Sequence, residues 1–563
     1  MKTFKRGLIA LVVVVLVYVL TSFVIGRLIL AETARFAESL ALQEGVTVHR
    51  LDYRAGLFSG VLRYDLDYVP PPESLPGAVH WGGLRHVQGE MRMRHGPWVG
   101  DGFALAAGEG QAEVPAQMRQ ALPELAAAQP LVKVKLRHAF DRSVRMEFVG
   151  LDHAGPVVSA QLDALRGTVE LAGAKGQARF DAALDWLDFE LQVQKSRLDI
   201  VEPADEAVSI AVTGLSSSGA LRRQASAWTG TLELALEGGE LHTDEGHVKA
   251  HALASGFVLG VSEIADGPRP SLEVKMALGG LEIEATEGEL ARVSVGRTEA
   301  EAELVEAWPQ LWIGRSDLQA RDLRVADEHP LLHAEHLRLH SEAFQRGMLF
   351  AQDMALELGS AQWGETRLGG GRLAVTLDGV DGLALSRMLE ALARSAHVPP
   401  QLSEPQLQRA LLEGAQIILA GHPSLSLEQG LHVRSKDDLH GRLVLKLAER
   451  DGEGDGLLEA LMRLQVQGEV TAQHDALREL FRQVVEAEQG RPGVAVRETV
   501  EREGDARYQA WLAGMQGSPY VTVTPEAVSS RIEYAGEALD INGVPTDPML
   551  ALLLLAMLGG DGF

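Results

Sequence analysis

Residues 230–261 read GTLELALEGGELHTDEGHVKAHALASGFVLGV, and this stretch decides the fold. Leu, Val and Ala largely alternate along it with Glu, Lys and His. A period of two is typical of a β-strand with one buried face and one solvated face. Short Gly-containing segments interrupt the alternation and predict turns. The stretch therefore predicts successive antiparallel strands.

The same rhythm extends outward in both directions. It begins with VTVHRLDYRAGLFSGVLRYDLDYV at residues 46–69 and is most uniform from about 160 to 383. No fixed repeat length indicates a propeller or a solenoid. We predict a β-rich meander over residues 46–380, which must curl or meet a second layer to protect its apolar face.

Helices return in the last third of the chain. Three stretches have apolar residues at helical spacing, and strand-like segments follow them: LALSRMLEALARSAHV (383–398), PQLQRALLEGAQIILAG (405–421) and DALRELFRQVVEAEQG (475–490). We predict a C-terminal α+β region over 381–563. Its apolar tail, Met549 to Leu558, is too short to span a bilayer as a helix and is expected to dock in a groove or a dimer seam.

At the other end of the chain, residues 8–25 read LIALVVVVLVYVLTSFVI without a charge. With the flanking glycines, this run is about as long as a helix needs to be to cross ~30 Å of hydrocarbon. We predict a cytoplasmic tip and transmembrane helix over 1–30 and a juxtamembrane helix over 31–45. The residues chosen to represent the membrane anchor are Leu8, Val12, Leu16, Leu20 and Ile25.

A cleaved secretory signal is the alternative interpretation of this run. Signals usually have ~7–15 apolar residues, fewer than here. The nearest cleavage candidate, after Ala31, has Ile29 rather than a small residue two places earlier, so an uncleaved anchor is favoured. Because three cations precede the run and only Arg27 follows it, the N-terminus is expected in the cytoplasm. In a bacterium the body would then lie in the periplasm, attached to the inner membrane.

The composition narrows the function classes. The chain has 563 residues, of which 46% are hydrophobic, so it can form large cores in more than one domain. Its formal net charge of −26 argues against nucleic-acid partners and against lying flat on anionic lipid. The sequence contains no cysteine, so a thiolate metal site or a Cys nucleophile is excluded.

The first candidate metal ligands are the histidines of EHPLLHAEHLRLH (328–340), which are His329, His333, His336 and His340. In a helix they would share one face and could bind a metal. Pro330 and the alternation of the segment instead predict a strand with solvated histidines.

DGEGDG (451–456) resembles half of a calcium loop but lacks the Glu at the twelfth position. We predict no catalytic, cofactor-binding or metal-binding residues, and hence no enzyme.

Several short motifs, taken in order, resemble the YdgA-like family of bacterial proteins. They are YRAGLFSGVLRYDL (53–66), the tripeptide HGP, LLEGAQIILAGHPSLSLEQGLHV (411–433) and ALDINGVPTD (538–547). The resemblance implies an inner-membrane protein that faces the periplasm and has no assigned function or catalytic residues. The local chemistry of these positions is typical of turns. The motif positions are Gly56, Phe58, Ser59, His95, Gly96, Pro97, Asn542 and Gly543.

Residues 318–359 also resemble the AsmA-like proteins in their rhythm of strands. That resemblance implies a single N-terminal helix and a long curved sheet with a groove for lipid. We therefore expect a mainly β fold with helices (α+β), in which one transmembrane helix precedes a curved antiparallel sheet. The expected function is a non-enzymatic envelope protein that binds a lipid or a protein partner. A homodimeric structural or assembly factor and an envelope hydrolase are the alternatives.

Overall fold

In the computed structural model of the chain, the residues described are 2–41, 46–68, 86–99, 102–112, 132–150, 152–159, 165–201, 207–224, 227–264, 267–285, 292–326, 330–363, 366–395, 400–420, 422–433, 439–448, 463–489, 494–535 and 538–546. The apolar tail at 549–558 and the turn at 451–456 lie outside these ranges. The fold is mainly β with helices, as predicted.

The chain forms two compact units. The first comprises Met1–Val261 and Leu272–Gly288, and the second comprises Ser262–Ser271 and Glu289–Phe563. The predicted start of a C-terminal region at residue 381 falls inside the second unit. The strand that ends at Asp381 pairs with the strand that begins at Ser424, after two helices. One ladder of paired strands therefore continues across the predicted boundary.

The first unit begins with a single helix of 40 residues, in which the expected span and juxtamembrane helix are continuous. Its strands form an antiparallel ladder in the order β1-β2-β3-β4-β5-β6-β9-β10-β11-β12-β13, and β7 pairs with β8, which pairs with β10 beside β9. The strands β13 and β14 lie mainly, but not wholly, in this unit. The elements are α1 Lys2–Ala41, β1 Val46–Ala55, β2 Ser59–Tyr68, β3 His86–His95, β4 Ala106–Ala112, β5 Val132–His138, β6 Ser143–Gly150, β7 His153–Ser159, β8 Leu165–Ala172, β9 Lys175–Asp181, β10 Trp186–Val201, β11 Ala207–Gln224, β12 Ala227–Thr243, β13 Gly246–Ile264 and β14 Gly267–Ala285.

The second unit has the ladder order β16-β17-β18-β19-β20-β21-β22-β23-β25-β26-β27, also antiparallel; β15 pairs with β17 and β24 pairs with β25. Two pairs of helices interrupt it. The elements are β15 Arg292–Val295, β16 Thr298–Trp308, β17 Leu311–Ala326, β18 Pro330–Arg346, β19 Leu349–Trp363, β20 Thr366–Asp381, α2 Gly382–Ser395, α3 Pro400–Ala420, β21 Ser424–His432, β22 Leu439–Leu447, β23 Leu464–Gln473, α4 His474–Gln489, α5 Val494–Met515, β24 Thr522–Val523, β25 Ala527–Ala535, β26 Ala538–Ile541 and β27 Val544–Thr546.

The alternation of apolar residues changes phase within each long strand of the first unit. In β12, for example, the apolar positions are even up to Leu236 and odd at Leu241. The change coincides with a line of residues that have positive φ: Gly173 (φ 66°) between β8 and β9, Gly214 (φ 63°) in β11 and Ala252 (φ 35°) in β13. A left-handed residue re-aims the side chains that follow it in a strand.

The geometry of β12 shows the change of face directly. A Cβ atom added to Gly239 would lie 3.6 Å from Leu236 Cδ2, so two positions three residues apart share a face. In an unbroken strand they would point to opposite faces. One apolar face thus stays continuous in β12 although the sequence pattern shifts by one residue, at the level where its neighbours β11 and β13 have their left-handed residues.

The second unit contains the same device. Asp322 in β17 has φ 58°, and the apolar positions of that strand change from even at Ala320 to odd at Leu323. His333 and Arg324 hold the Asp322 carboxylate at 3.0 Å and 3.1 Å. The hydrogen bond from His333 is the largest cause of the lowered pKa of Asp322. These partners hold the side chain of Asp322, whose backbone has a left-handed conformation that residues other than glycine rarely adopt.

The left-handed line predicts a specific cost of substitution. Gly214→Ala places a Cβ on a residue with φ 63°, which costs about 1–2 kcal/mol. We expect the melting temperature of the full chain to fall by several degrees. Gly256→Ala is the matched control, because Gly256 lies in β13 without a positive φ and a Cβ there would meet nothing within 4 Å. Equal melting temperatures for the two variants, measured by differential scanning fluorimetry, would contradict the role of the line.

Candidate functional site

The C-terminal half of α1 packs on the sheet of the first unit. Ile25 and Ile29 are buried in one core with Tyr53, Met91 and Met93. Ser22 and Glu32 are buried on the same stripe of the helix. The spacing of three and four residues defines one helix face. This stripe is the contact surface between the helix and the strands.

The closest approach of α1 to the sheet involves the HGP motif. His95 is only 2% exposed, and its Nδ1 donates to the carbonyl of Ser22 at 3.1 Å. A Cβ on Gly26 would lie 2.7 Å from His95 Cε1, and one on Gly96 would lie 2.8 Å from Ser22 Oγ. The two glycines are therefore needed for the helix to lie this close to the strand. Pro97 follows in the bend after β3.

The second motif lies beside the first, although about 40 residues separate them. Gly56 begins the β1–β2 turn, where its backbone N–H donates to the carbonyl of Ser59 at 2.7 Å. The backbone N–H of His95 donates to the carbonyl of Phe58 at 3.0 Å. The ring of Phe58 stacks on Tyr18 of α1, with 5.9 Å between the centroids. Both motifs thus form the surface on which α1 packs. We call this surface, which includes Phe58, His95 and Gly96, the seat of α1.

The third motif lies in the second unit, in the turn between β26 and β27. Asn542 (φ 52°) and Gly543 (φ 80°) have the two successive left-handed conformations of a tight hairpin turn. The Asn542 Oδ1 accepts a hydrogen bond from the backbone N–H of Arg531 at 2.8 Å. This motif takes no part in the seat of α1.

Two faces of α1 differ in their surroundings. Leu20 lies on the exposed stripe with Val17 and Val24, whereas Ile25 faces the sheet. Leu8, Val12 and Leu16 lie in the same helix, toward its N-terminus. Among the described residues, Val17–Ala41 of α1 is long and apolar enough to cross a membrane, a property that a signal sequence shares.

A cavity of about 80 Å³ lies beneath α1 and is mostly apolar. Ile29, Glu32 and Phe36 line it from the helix, and His138 and Phe180 from the strands. Burial lowers the pKa of His138, while the nearby Glu32 carboxylate opposes that shift. The cavity is too small for an acyl chain, and it places the buried imidazole of His138 beside Glu32 of the helix.

The second unit has a strip of apolar side chains in neighbouring strands. Leu318, Leu339, Leu356 and Leu373 are directly opposite one another across β17, β18, β19 and β20. Leu356 is 36% exposed and Leu373 39%. We call the exposed members Leu339, Met354, Leu356 and Leu373 the apolar strip. The opposite face of these strands carries ion pairs such as Arg338–Asp317 and Arg372–Glu357.

Helix α2 covers the neighbouring part of the same face. Ala343 and Leu377 lie four residues along from Leu339 and Leu373, and both pack in a core with Leu385 and Leu389 of α2. Asp381 caps this helix through a 2.8 Å hydrogen bond from the backbone N–H of Ala384. Among the described residues the cover stops before the apolar strip, so within that part of the chain the strip continues the core beyond its covering helix.

The predicted strand for the histidine segment is confirmed by β18. His333 pairs with Asp322, and His340 lies 3.6 Å from Asp317. His329 lies outside the described ranges. Within the part of the chain that the structure describes, no group of three or more His, Asp or Glu side chains could hold a metal ion.

Sequence reasoning missed the docked face of α1. The signal was present in Ser22, Gly26 and Glu32, which are small or polar residues on one face of an apolar helix. Such residues are typical of a face that packs closely against protein. The stretch was interpreted by its length alone, and length does not distinguish the lipid-facing from the protein-facing side.

Fold and site together define a β-rich protein with one apolar N-terminal helix docked on its first sheet. The family described as bacterial protein of unknown function, DUF945, matches residues 1–288 and 266–549. The chain belongs to this family. No curated protein and no solved structure matches the chain.

The seat of α1 predicts the effect of a larger residue at Gly26. Gly26→Val would force the helix away from His95, and we expect faster hydrogen exchange in residues 26–41 and a lower melting temperature. Ala34→Val is the control, because Ala34 lies on the exposed stripe of the same helix. Hydrogen exchange measured by mass spectrometry on the full chain checks this. Identical protection in both variants would show that the close approach is not required.

The buried His138 predicts a pH dependence. Because burial lowers its pKa below the ordinary 6.5, the unfolded state binds the proton more readily, and stability falls as the pH drops through 6.5. We expect His138→Phe to reduce the loss of melting temperature between pH 8 and pH 5, relative to the exposed-site control His242→Gln. An unchanged pH dependence in His138→Phe would contradict the neutral, buried imidazole.

Proposed function

We propose that the protein is a non-enzymatic envelope protein, anchored in the bacterial inner membrane by α1, that binds the acyl chain of a lipid on the apolar strip. The observation that carries this proposal is the exposure of four neighbouring apolar side chains beside the core under α2. An exposed continuation of a core is typical of a ligand-binding surface.

The energetics favour an acyl chain as the ligand. Burial of one CH₂ group contributes about 0.8 kcal/mol. The free energy gained by burying several methylenes along the strip would therefore exceed the entropic cost of ordering the acyl chain. The strip offers no cation for a headgroup: its members are Leu339, Met354, Leu356 and Leu373. Recognition would therefore depend on the hydrocarbon.

The charges that flank the apolar run of α1 support the proposed anchor and its orientation. Lys2, Lys5 and Arg6 precede the apolar run, and Arg27 follows it. Under the positive-inside rule the N-terminus is cytoplasmic. Both units would then lie in the periplasm, where a lipid moving between membranes could reach the strip.

A curved sheet in the first unit belongs to the same proposal. Leu51 of β1 and Phe180 of β9 both line the cavity beneath α1, although their strands are six pairings apart in the ladder. In a flat sheet, six spacings of about 4.8 Å would separate them by roughly 29 Å. Their common cavity supports a sheet that bends around the helix.

The resemblance of residues 318–359 to AsmA-like proteins supports a lipid ligand in the same way. These residues include about half of β17, all of β18 and most of β19, which are three of the four strands that carry the apolar row. The resemblance to YdgA-like proteins supports the inner-membrane location.

Lipid retention tests the proposal. We expect the full chain, extracted from bacterial membranes in mild detergent, to retain lipid that native mass spectrometry detects. The double variant Leu356→Glu, Leu373→Glu should lose most of it, because burying a carboxylate against hydrocarbon is costly.

The matched control is Glu357→Gln, Arg372→Gln. These residues are the next ones along the same strands, face each other across the same ladder, and lie on the opposite, solvated face. Equal lipid retention by wild type and both double variants would reject the strip as the lipid site.

A further inference from the structure

The position of the sheet along α1 can be compared with the thickness of a bilayer. The helix has 40 residues, or about 60 Å at 1.5 Å per residue. From Arg6 the distance along the axis is about 18 Å to Tyr18 and about 24 Å to Ser22. The hydrocarbon layer is ~30 Å thick. With Arg6 at the cytoplasmic boundary, Tyr18 therefore lies just past the middle of the hydrocarbon, and Ser22 lies about 6 Å from its far boundary.

The described side chains of α1 contact the sheet at these depths. The Tyr18 hydroxyl donates to the carbonyl of Trp98 at 3.2 Å, and its ring stacks on Phe58. Ser22 is fully buried against His95. The loops that follow β1 and β3 must consequently reach into the outer part of the lipid layer.

The residues at this end of the sheet have the chemistry that such a location needs. Large apolar side chains are exposed in three turns at one end of the sheet, which connect β1 to β2, β3 to β4 and β5 to β6. The most exposed of these side chains is Phe103, at 68%. Trp98 and Phe103 are in edge-to-face contact at 4.9 Å. We call this set the apolar collar; its members are Leu57, Phe58, Trp98, Phe103 and Phe140.

Several backbone groups in these loops are paired, which lowers the cost of placing them in lipid. Arg137 donates to the carbonyl of Phe103 at 3.3 Å, and Tyr18 donates to that of Trp98. The backbone N–H of Val99 donates to the carbonyl of Gly102 at 3.1 Å, and that of Gly96 to the carbonyl of Leu105 at 3.2 Å. These four bonds are compatible with an apolar environment.

We infer that the apolar collar inserts into the periplasmic leaflet around α1, so that the first unit is partly embedded in the membrane. The occupant of this surface is the bilayer that the helix itself crosses. Exposed apolar residues of α1, including Val17, Leu20 and Val24, continue the same surface. Aromatic side chains are enriched at membrane interfaces because they combine an apolar body with a polar edge. The inference rests on the proposed membrane anchor.

Single-cysteine labelling tests the collar, since the native chain has no cysteine. The full chain is reconstituted in vesicles of phosphatidylethanolamine and phosphatidylglycerol that contain lipids with a nitroxide near the headgroup. Phe103→Cys carries a fluorescent label in the collar. Val149→Cys, also exposed and apolar but at the far end of β6, is the control, and Leu20→Cys reports the anchor.

We expect strong quenching at positions 20 and 103 and severalfold weaker quenching at 149. Quenching at 20 without quenching at 103 would overturn the collar and leave the anchor intact. Absence of quenching at both positions would reject the anchor and, with it, the collar. Equal quenching at 103 and 149 would indicate that the sheet lies flat on the membrane, which also contradicts the inference. Disulfide-linked dimers through position 103, without quenching there, would identify a second copy as the occupant.

Discussion

The contact between α1 and the end of β3 sets the position of the first unit along the helix. Gly26 allows the ring of His95 to pack against the helix, and His95 in turn donates to a helix carbonyl. A backbone carbonyl buried in an apolar contact gains more from such a bond than one in water. Together with the packing of Ile25 and Ile29 and the contacts of Tyr18, this contact sets the height of the neighbouring turns along the helix. The depth of the collar follows from that height.

A second constraint acts within the sheets. Long strands must keep one apolar face over 16 or more residues, yet their apolar pattern slips by one position. Gly214 in the first unit and Asp322 in the second have left-handed conformations at the point of slippage. The backbone thereby corrects the register of the faces without changing the pairing of the strands.

The two exposed apolar surfaces differ in composition. The collar is aromatic and lies beside the apolar helix, whereas the strip is aliphatic and adjoins a core in the second unit. Aromatic rings suit the boundary between lipid and water, and aliphatic side chains suit an extended hydrocarbon chain. On the proposals made above, one surface would hold the protein in the membrane and the other would hold a lipid taken from it.

By itself the sequence determined the kinds of element: a long apolar helix, strands with a period of two, and amphipathic helices such as α4. Local periodicity is sufficient for these assignments because each depends on residues near one another in the chain. It was also sufficient to place the histidines of β18 in a strand. Tertiary structure decided what proximity in sequence cannot show. It brought Phe58 beside His95, turned Ile25 toward the sheet, and placed the left-handed residues on one line across the sheet. Each of these depends on pairings between distant strands, and a pairing is a property of two segments that neither segment encodes alone.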